Sequence, residues 1–316
     1  ELILPLTLGK KVIIIGDHKQ LPPMIDENEF SEALEAVGAK KLVEDWTKAD
    51  YKISQFEKLF VNAPEECVAS LDTQFRMHKQ IMNCISQFYK DQKQLQNGLI
   101  CGIEGDMDNQ NWNLKGSRWH GLQLSPFIDP SVHAIWINVK GTESRVGTSY
   151  ENIDEIEALK IVLNSLIKSD GFNEYYNHFT KEEEKEIGVI TYYMPQMQKI
   201  KSALYPTLTK NEWRKFEQYK YENVYKIPFR INTVDRFQGM ERNIIIISTV
   251  RSDMPKDPGY KFNKQYPFAL GFAREIPRVN VGFSRAKRLL IVIGNESHFS
   301  HKPEYQEAIS KMHRID

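Results

Sequence analysis

The stretch that decides the fold is INTVDRFQGMERNIIIIS, residues 231–248, in which a dense polar loop leads into four consecutive isoleucines at 244–247. A continuous run of β-branched apolar residues, without polar alternation, indicates a strand that is buried on both faces, as in the parallel sheets of α/β proteins. The same pattern predicts strands at 12–15, 187–190 and 289–293, and less clearly at 132–139 and 67–71.

Helical patterns lie between the predicted strands. Apolar residues at three-and-four spacing over 156–167 form one stripe on a segment that opens with acidic residues, which favours a helix. Residues 79–88 and 196–204 have the pattern of shorter helices. Strands that alternate with helices indicate βαβ units, so the predicted fold class is α/β with a mostly parallel sheet. The stretches 92–130 and 209–226 do not fit this repeat and are predicted to be insertions.

Length and composition exclude several classes of protein. The chain has 316 residues, with 42 Lys+Arg against 42 Asp+Glu and a pI near 7.3, so charge alone gives no argument for a nucleic-acid partner. No apolar run reaches the ~18 residues that a membrane span requires, so no membrane partner is expected. Cys67, Cys84 and Cys101 cannot build a disulfide framework, which favours a reduced, intracellular protein. No metal site is predicted, since His298 and His301 lack companions and are expected to be a surface pair.

Two segments place polar residues where they could bind phosphate. GDHKQLPP, residues 16–23, follows a predicted strand, and Gln20 could orient a water or sense a phosphate without adding charge. LDTQFRMH, residues 71–78, places Arg76 at the start of a helix, where its planar guanidinium could reach a phosphate. The alternative for the first segment is an ordinary turn at the end of a strand. For Arg76 taken alone, a salt bridge on the protein surface is favoured over phosphate binding.

Two further segments also combine polar loops with apolar strands. In residues 231–248, Gly239 permits a tight turn or a close backbone approach, and the carboxylate of Glu241 suits a sugar hydroxyl. A polar hairpin loop is the alternative there. PRVNVGFSRAKRLLIVIGN, residues 277–295, gathers cations on one polar turn or helix before an apolar strand, which suits phosphate or else the basic cap of a surface helix. Its polar residues are Asn280, Ser284, Arg285, Lys287 and Arg288.

In order and content these segments resemble the C-terminal motif series of superfamily 1 helicases, specifically the superfamily 1B group that includes the nonsense-mediated-decay helicase. GDHKQLPP is similar to motif III, QFRMH to motif IV, TVDRFQGMERNIIIIS to motif V and VNVGFSRAKRLLIVIGN to motif VI. ISQFEKLF and GVITYYMPQMQKI resemble further family segments. The resemblance implies a parallel RecA-like (P-loop NTPase) three-layer sandwich with helical and loop insertions, and movement along nucleic acid in the 5′ to 3′ direction.

The resemblance also implies catalytic and nucleotide-binding residues. Gln20 would sense the γ-phosphate, and Arg76 and Arg285 would be the two arginine fingers, completing the catalytic set. Nucleotide binding would fall to Gln74, Gly239 and Glu241, with Glu241 on the ribose.

The nucleic-acid backbone would be contacted through Thr191, Thr233, Asp235 and Gln238, and such contacts are independent of base sequence. Asp235 and Gln238 would couple this contact to the nucleotide cleft. The chain departs from the family pattern at Tyr192, where a proline is usual, and at residues 282–284 before the arginine finger.

A superfamily 1 motor also needs a phosphate-binding loop, G-x-x-x-x-G-K-[ST], and an acidic pair that holds Mg²⁺. Neither is found, since Gly9-Lys10 continues into Lys11 and no Asp-Glu-Ala-x-Gln box precedes residue 16. Residues 1–66 are therefore expected to be a remnant of a first RecA-like domain and 67–316 the second. The expected cofactors are ATP and Mg²⁺, with the Mg²⁺ ligands outside this chain, and the fragment alone is expected to be inactive. The expected partners are single-stranded or duplex DNA or RNA and the missing N-terminal RecA-like domain.

Two other functions stay open on sequence grounds. One is a non-catalytic helicase-like module that binds nucleic acid or a partner, although retention of Gln20, Arg76, Glu241 and Arg285 argues against it. The other is the helicase part of a nuclease–helicase protein. No compact cluster of Asp, Glu and Lys with nuclease spacing is present, so nuclease chemistry would lie outside these residues.

Overall fold

The computed structural model divides the chain into two units, Glu1–Ser70 (unit 1) and Leu71–Asp316 (unit 2). Their assignment to a first and a second RecA-like domain stays a prediction. The structure describes residues 8–22, 27–39, 41, 53–90, 95, 97–103, 116–123, 128–208, 212, 222–252 and 270–316. Most of the predicted insertions 92–130 and 209–226 therefore lies outside the described residues.

The described part of unit 1 includes the α-helices α1 (Glu27–Ala36) and α2 (Gln55–Asn62). Ser54 caps α2, since its Oγ accepts a hydrogen bond from Glu57 N at 3.0 Å. The predicted strand at 12–15 is wrong, because residues 12–17 have no regular secondary structure and Ile13 is 90% exposed. A parallel strand needs a hydrogen-bonded neighbour, and the described residues of unit 1 supply none.

Unit 2 is built on a six-stranded sheet in which all neighbouring strands are parallel. In chain order the strands are β1 (Thr73–Gln74), β2 (Ile100–Cys101), β3 (Ala134–Asn138), β4 (Ser144–Val146), β5 (Ser149–Glu151), β6 (Ile187–Thr191), β7 (Phe229–Thr233), β8 (Arg242–Ser248), β9 (Ala286–Gly294) and β10 (His313–Ile315). The sheet has the order β10-β3-β9-β8-β6-β7, while β1 pairs with β2 and β4 with β5.

The continuous apolar runs at 132–139, 187–190, 244–247 and 289–293 are confirmed as β3, β6, β8 and β9. Every residue of β8 is buried, as a strand covered on both faces requires. The predicted strand at 67–71 is wrong, because a 3₁₀ helix, Glu65–Cys67, ends there and an irregular segment follows. The edge strand β7 was not predicted, since its buried and partly buried residues alternate.

Helices cover both faces of the sheet. They are α3 (Lys79–Ile85), α4 (Ile153–Ile167), α5 (Phe172–His178), α6 (Glu182–Lys185), α7 (Met194–Leu204), α8 (Ile276–Phe283), α9 (Glu296–Phe299) and α10 (Pro303–Ser310). Ile135 and Ile137 of β3 join a core with α4, α5 and α7. Trp136 between them faces the other side, where its ring lies 5.8 Å from that of Phe299 in α9. The predicted α/β fold with a parallel RecA-like sheet is confirmed.

The predicted helices are confirmed with small changes in their bounds. The stripe at 156–167 belongs to α4, and 196–204 belongs to α7. The helix predicted at 79–88 changes into a 3₁₀ helix, Ser86–Tyr89, after α3. None of the described helices is both long enough and apolar enough to span a membrane.

One connection crosses the sheet from edge to edge. Because β7 and β8 run parallel, β7 ends at the carboxyl edge of the sheet with Thr233, and β8 begins at the amino edge with Arg242. Residues 234–241, here named the crossing segment, must therefore pass back over the sheet. Phe237 packs over Gly188 of β6, where an added Cβ would lie 2.9 Å from its ring. The crossing segment thus links the two edges directly.

Candidate functional site

A carboxylate at the amino edge binds two cations. Glu241 immediately precedes β8, and Lys287 is the second residue of the neighbouring strand β9. Lys287 Nζ lies 2.7 Å from Glu241 Oε1, and Arg76 Nε donates to Glu241 Oε2 at 2.9 Å. Each oxygen of the carboxylate therefore binds a different cation. The alternative prediction for Arg76, a surface salt bridge, is confirmed by its contact with Glu241.

The charge state of Glu241 follows from these neighbours. Burial alone would raise its pKa, but the hydrogen bonds and charges of Lys287 and Arg76 outweigh burial and lower the pKa below its usual value. Glu241 is thus ionised at neutral pH. The Arg76 and Glu241 side chains are 38% and 39% exposed, so an incoming ligand can reach the pair.

The backbone around Arg76 is fixed by Gln74. Its Oε1 accepts hydrogen bonds from Arg76 N and Met77 N, and its Nε2 donates to Met77 O, all at 2.9 Å. His78 N donates to Lys287 O at 2.9 Å, which ties the same turn to β9. Gln74 was predicted to bind nucleotide, and here its amide is occupied in holding the turn that presents Arg76.

A third cation near Glu241 was missed by the sequence reasoning. Arg118 Nε donates to Arg76 O at 2.6 Å, and its Nη2 donates to Phe75 O at 2.8 Å. Burial lowers the pKa of Arg118, and the charge of Glu241 partly offsets this. Arg118 lies in the stretch taken as an insertion, and no spacing or motif there could have indicated its position.

The second predicted finger, Arg285, lies near the same corner and is only 2% exposed. Its Nε donates to Val281 O at 3.0 Å, its Nη1 to Met240 O at 3.3 Å and its Nη2 to Ser284 Oγ at 3.0 Å. Because Met240 precedes Glu241, the structure brings both predicted fingers to the end of the crossing segment. Because Arg285 is buried, the alternative prediction that it belongs to the basic cap of a surface helix is wrong.

Two other cations of that motif do not lie on its polar turn. Lys287 and Arg288 are in β9 itself. Arg288 Nε donates to Asn243 Oδ1 at 3.1 Å, and burial lowers the pKa of Arg288 to about 10.

The polar residues of the crossing segment differ in their surroundings. Gly239 has a φ of +80°, and no atom lies within 4 Å of an added Cβ, so this glycine serves a tight turn and not a close approach. Gln238 is exposed. Asp235 Oδ1 accepts from Arg278 Nε at 3.1 Å and Nη2 at 2.9 Å, which fastens the segment to α8.

The two threonines predicted to contact nucleic acid are adjacent at the carboxyl edge. Thr191 and Thr233 are register partners at the ends of β6 and β7. Thr191 is fully buried, and its Oγ1 has no hydrogen-bond partner within the described part of the chain. Thr233 is 8% exposed. These residues lie at the edge opposite Glu241, and the crossing segment joins the two groups.

Gln20 belongs to unit 1, where a polar turn holds it. Its Nε2 donates to Asp17 Oδ2 at 2.9 Å, and Lys19 N donates to Asp17 Oδ1 at 2.9 Å. The turn packs on α2, since a Cβ on Gly16 would lie 2.9 Å from the ring of Phe56. A cavity of about 240 Å³ lies between this turn and α2. Gln20 and Asp17 line it.

The described parts of the chain hold no group of three or more His, Cys, Asp or Glu side chains that could bind a metal ion. His298 is 1% exposed, so the expectation of a surface pair with His301 is wrong for this residue.

Comparison with known proteins gives one family and several relatives. Residues 51–297 match the AAA domain family. The chain is 28% identical over 312 residues to an uncharacterised ATP-dependent helicase of Methanocaldococcus jannaschii, covering 97% of this chain and 35% of that protein. It is 28% identical over 303 residues to a regulator of nonsense transcripts 1 homolog of Neurospora crassa, covering 93% and 21%.

A third relative combines two activities in its name. The chain is 25% identical over 307 residues to the DNA replication ATP-dependent helicase/nuclease dna2 of Schizosaccharomyces pombe, covering 94% of this chain and 18% of that protein. The chain spans 35% or less of the length of each of these three relatives.

Proposed function

The chain belongs to the AAA domain family and is related to superfamily 1 helicases, as its motifs predicted, and on that premise we propose that it forms part of an ATP-driven nucleic-acid motor. Residues 67–316 are its second RecA-like domain, and residues 1–66 belong to the first. The intact protein couples ATP hydrolysis to movement along nucleic acid or to unwinding of a duplex. The observation that carries the proposal is the convergence of Arg76, Lys287 and Arg285 on the end of the crossing segment around Glu241.

This corner suits a nucleoside triphosphate. Arg76, Lys287 and Arg285 offer donors to phosphate oxygens, and the carboxylate of Glu241 is an acceptor for sugar hydroxyls. For Mg²⁺ the described residues offer no ligand group, so no step is assigned through the metal. When bound, ATP supplies the phosphoryl group that is transferred to water, and the chain supplies positioning and charge.

Each side chain then has a definite task. Arg76 exchanges the Glu241 carboxylate for a phosphate oxygen, and Gln74 keeps the backbone of Arg76 in place during the exchange. Arg285 leaves Met240 O and donates to developing negative charge on the transferred group. Gln20 senses the γ-phosphate from the first domain, and Gly239 provides the turn that sets Glu241 beside the ribose.

Nucleic acid is bound at the opposite edge. Thr191, Thr233, Asp235 and Gln238 contact its backbone or transmit that contact, without regard to base sequence. Asp235 and Glu241 lie on the same crossing segment. A shift of this segment on nucleic-acid binding therefore moves Glu241 and the Met240 carbonyl that holds Arg285, which couples the two sites. A nuclear, nucleoid or cytoplasmic location follows from this substrate.

The proposal is tested by the ATPase activity of the intact protein, measured with and without single-stranded DNA or RNA. We expect hydrolysis that nucleic acid stimulates at least about tenfold, and no hydrolysis by the 316-residue chain alone. The isolated chain would contradict this proposal if nucleic acid stimulated its ATP hydrolysis and Arg285→Ala abolished that activity. Such a result would show that the chain does not need a further domain for catalysis. An intact protein that binds nucleic acid without hydrolysing ATP would instead support the non-catalytic binding module.

A second candidate function is the helicase part of a nuclease–helicase protein. It is favoured by the similarity to a relative named as both helicase and nuclease. Cleavage of single-stranded DNA by the intact protein, retained after Arg76→Ala removes ATP hydrolysis, supports this candidate. Absence of cleavage with Mg²⁺ or Mn²⁺ counts against it.

A further inference from the structure

A phenylalanine at the carboxyl edge of unit 2 is half exposed and yet tightly held. Phe272 lies in the 3₁₀ helix Gly271–Arg274, and 50% of its surface is exposed. Its backbone N donates to Tyr193 Oη at 3.2 Å, and the two rings have centroids 5.5 Å apart. Tyr193 follows the end of β6 by two residues, so Phe272 stands beside the edge where Thr191 and Thr233 end their strands.

Gly271, which precedes Phe272, lies close to the polar ends of the Tyr193 and Arg251 side chains. A Cβ on Gly271 would lie 2.1 Å from Tyr193 Oη and 2.5 Å from Arg251 Nη1, and Gly271 has a φ of +53°. Arg251 is itself fixed, since its Nε donates to Glu143 Oε2 at 2.7 Å in a buried ion pair. A side chain at position 271 would therefore displace Tyr193 or Arg251, and the left-handed φ of Gly271 also favours glycine there.

The ring of Phe272 is held by a cation as well. The guanidinium of Arg278 lies 5.0 Å from the ring centroid, within the range of a cation–π contact. Arg278 is in turn bound to Asp235 by the two hydrogen bonds at 3.1 and 2.9 Å. A single exposed phenylalanine is common on protein surfaces. A ring locked by Tyr193, Arg278 and a glycine turn, with half of its surface open, is a preformed stacking surface.

We propose that Phe272 is a stacking site for one base of single-stranded nucleic acid. This rests on the proposed function and deepens it, because it assigns a contact to a base where the predicted contacts are all to the backbone. Aromatic rings stack on every kind of base, so the site suits a motor that does not select sequence. Two exposed arginines adjoin residues of this group in the chain, since Arg274 follows Phe272 by two residues and Arg236 follows Asp235, and their positive charge suits phosphate.

The stacking site is connected to the nucleotide corner through named contacts. A base on Phe272 bears on Arg278, Arg278 holds Asp235, and Asp235 begins the crossing segment that ends at Glu241. Stacking of a base on Phe272 is therefore coupled to the residues around ATP, and this coupling requires a base and not only a phosphate backbone.

The test compares oligonucleotides with and without bases on the intact protein. A fluorescent 15-nucleotide oligothymidine and an abasic strand of the same length are titrated by anisotropy, without ATP. We expect Phe272→Ala to weaken binding of the base-bearing strand about 5- to 150-fold, with little change for the abasic strand. Phe272→Trp restores the wild-type preference because it restores the ring. Phe75→Ala serves as the matched control. Phe75 is also an exposed phenylalanine, at 65%, but it lies next to Arg76 and not at the carboxyl edge of the sheet.

A cross-linking measurement keeps the proposal testable if other domains also grip bases. A strand carrying 5-iodouracil is irradiated on the protein, and the modified residue is identified by mass spectrometry. A cross-link at Phe272 that disappears in Phe272→Ala supports the stacking site. Wild-type protein that binds neither strand contradicts the proposed function. Wild-type protein that binds, with Phe272→Ala equal to it on both strands and no cross-link at Phe272, contradicts the stacking site alone.

Discussion

Lowering the pH from 7.5 to 5.5 is expected to destabilise unit 2, because a stack of buried histidines lies behind the turn that carries Arg76. The rings of His78 and His133 have centroids 3.5 Å apart, and His120 meets His133 edge-on at 4.7 Å. His133 Nδ1 lies 2.6 Å from Arg288 O, and His120 Nε2 lies 2.9 Å from another backbone carbonyl. A ring nitrogen beside a carbonyl must donate, so each neutral ring already has its hydrogen bond, and a second proton adds a buried charge.

The size of the effect follows from the pKa values. Burial, and then the neighbouring histidine, lowers the pKa of His120 and of His133 to about 3. Since the ordinary value is about 6.5, the folded state binds fewer protons than the unfolded state below that pH, and stability falls as pH falls. Between pH 7.5 and 5.5 each histidine costs about 1.4 kcal/mol. Glu155 acts oppositely, because burial raises its pKa to about 7 and acidification relieves about 1.8 kcal/mol.

The assay isolates one histidine by comparing pH dependences. In His133→Asn the side-chain amide can donate to the same carbonyl but does not titrate. Urea unfolding of unit 2, followed by circular dichroism at both pH values, should show the wild type losing about 1.4 kcal/mol more than this variant on acidification. The Glu155 contribution is common to both proteins and cancels. A natively folded His133→Asn variant with the wild-type pH dependence would contradict the cost assigned to protonation of buried His133.

Three further variants test the packing of unit 2. Glu155→Gln should lose about 1.8 kcal/mol more stability than wild type between pH 7.5 and 5.5 in the same urea series, because the relief by protonation is gone, and a parallel course of the two proteins would show that Glu155 does not titrate there. Gly271→Ala should cost about 2 kcal/mol or more, since its Cβ would meet Tyr193 Oη, whereas Gly147→Ala, with a φ of +61° and nothing within 4 Å, should cost only about 1 kcal/mol; equal losses of unfolding free energy would contradict the crowding argument. Glu186→Ala should cost about 3–5 kcal/mol, because it strips the buried guanidinium of Arg242 of its carboxylate, whereas Glu222→Ala, in an exposed pair with Lys226, should cost at most about 1 kcal/mol. A thermal melt that ranks the last two variants equally would argue against a buried ion pair.

The sheet of unit 2 was predictable because its central strands are covered on both faces. That burial demands continuous apolar residues, which is what 244–247 and 289–293 contain. The same pattern at 12–15 failed, because a strand depends on a hydrogen-bonded neighbour that a local pattern does not reveal. The edge strand β7 failed for the opposite reason, since only alternate residues are buried and its polar positions resemble a loop.

Candidate site residues could be predicted where a sequence motif identified both the residue and the residues around it in the chain. Arg76, Glu241 and Arg285 were each selected from their own segments, and the structure brings them to one corner of unit 2. Arg118 and Phe272 could not be selected this way. The position of Arg118 depends on hydrogen bonds to the backbone of a turn 42 and 43 residues away, and that of Phe272 on Tyr193 and Arg278. Long-range packing of this kind leaves no local pattern.

The role of the Glu241 corner in ATP hydrolysis is tested most directly by the rate of hydrolysis by the intact protein carrying Arg76→Ala, at saturating single-stranded nucleic acid. Arg76 is partly exposed, so the variant should fold, and Arg314→Ala, at a side chain that is 61% exposed, is the matched control. We expect Arg76→Ala to lower kcat by about a thousandfold or more with the Kd for nucleic acid unchanged, and Arg314→Ala to change neither. A wild-type kcat in Arg76→Ala would contradict the assignment of the Glu241 corner as the nucleotide site.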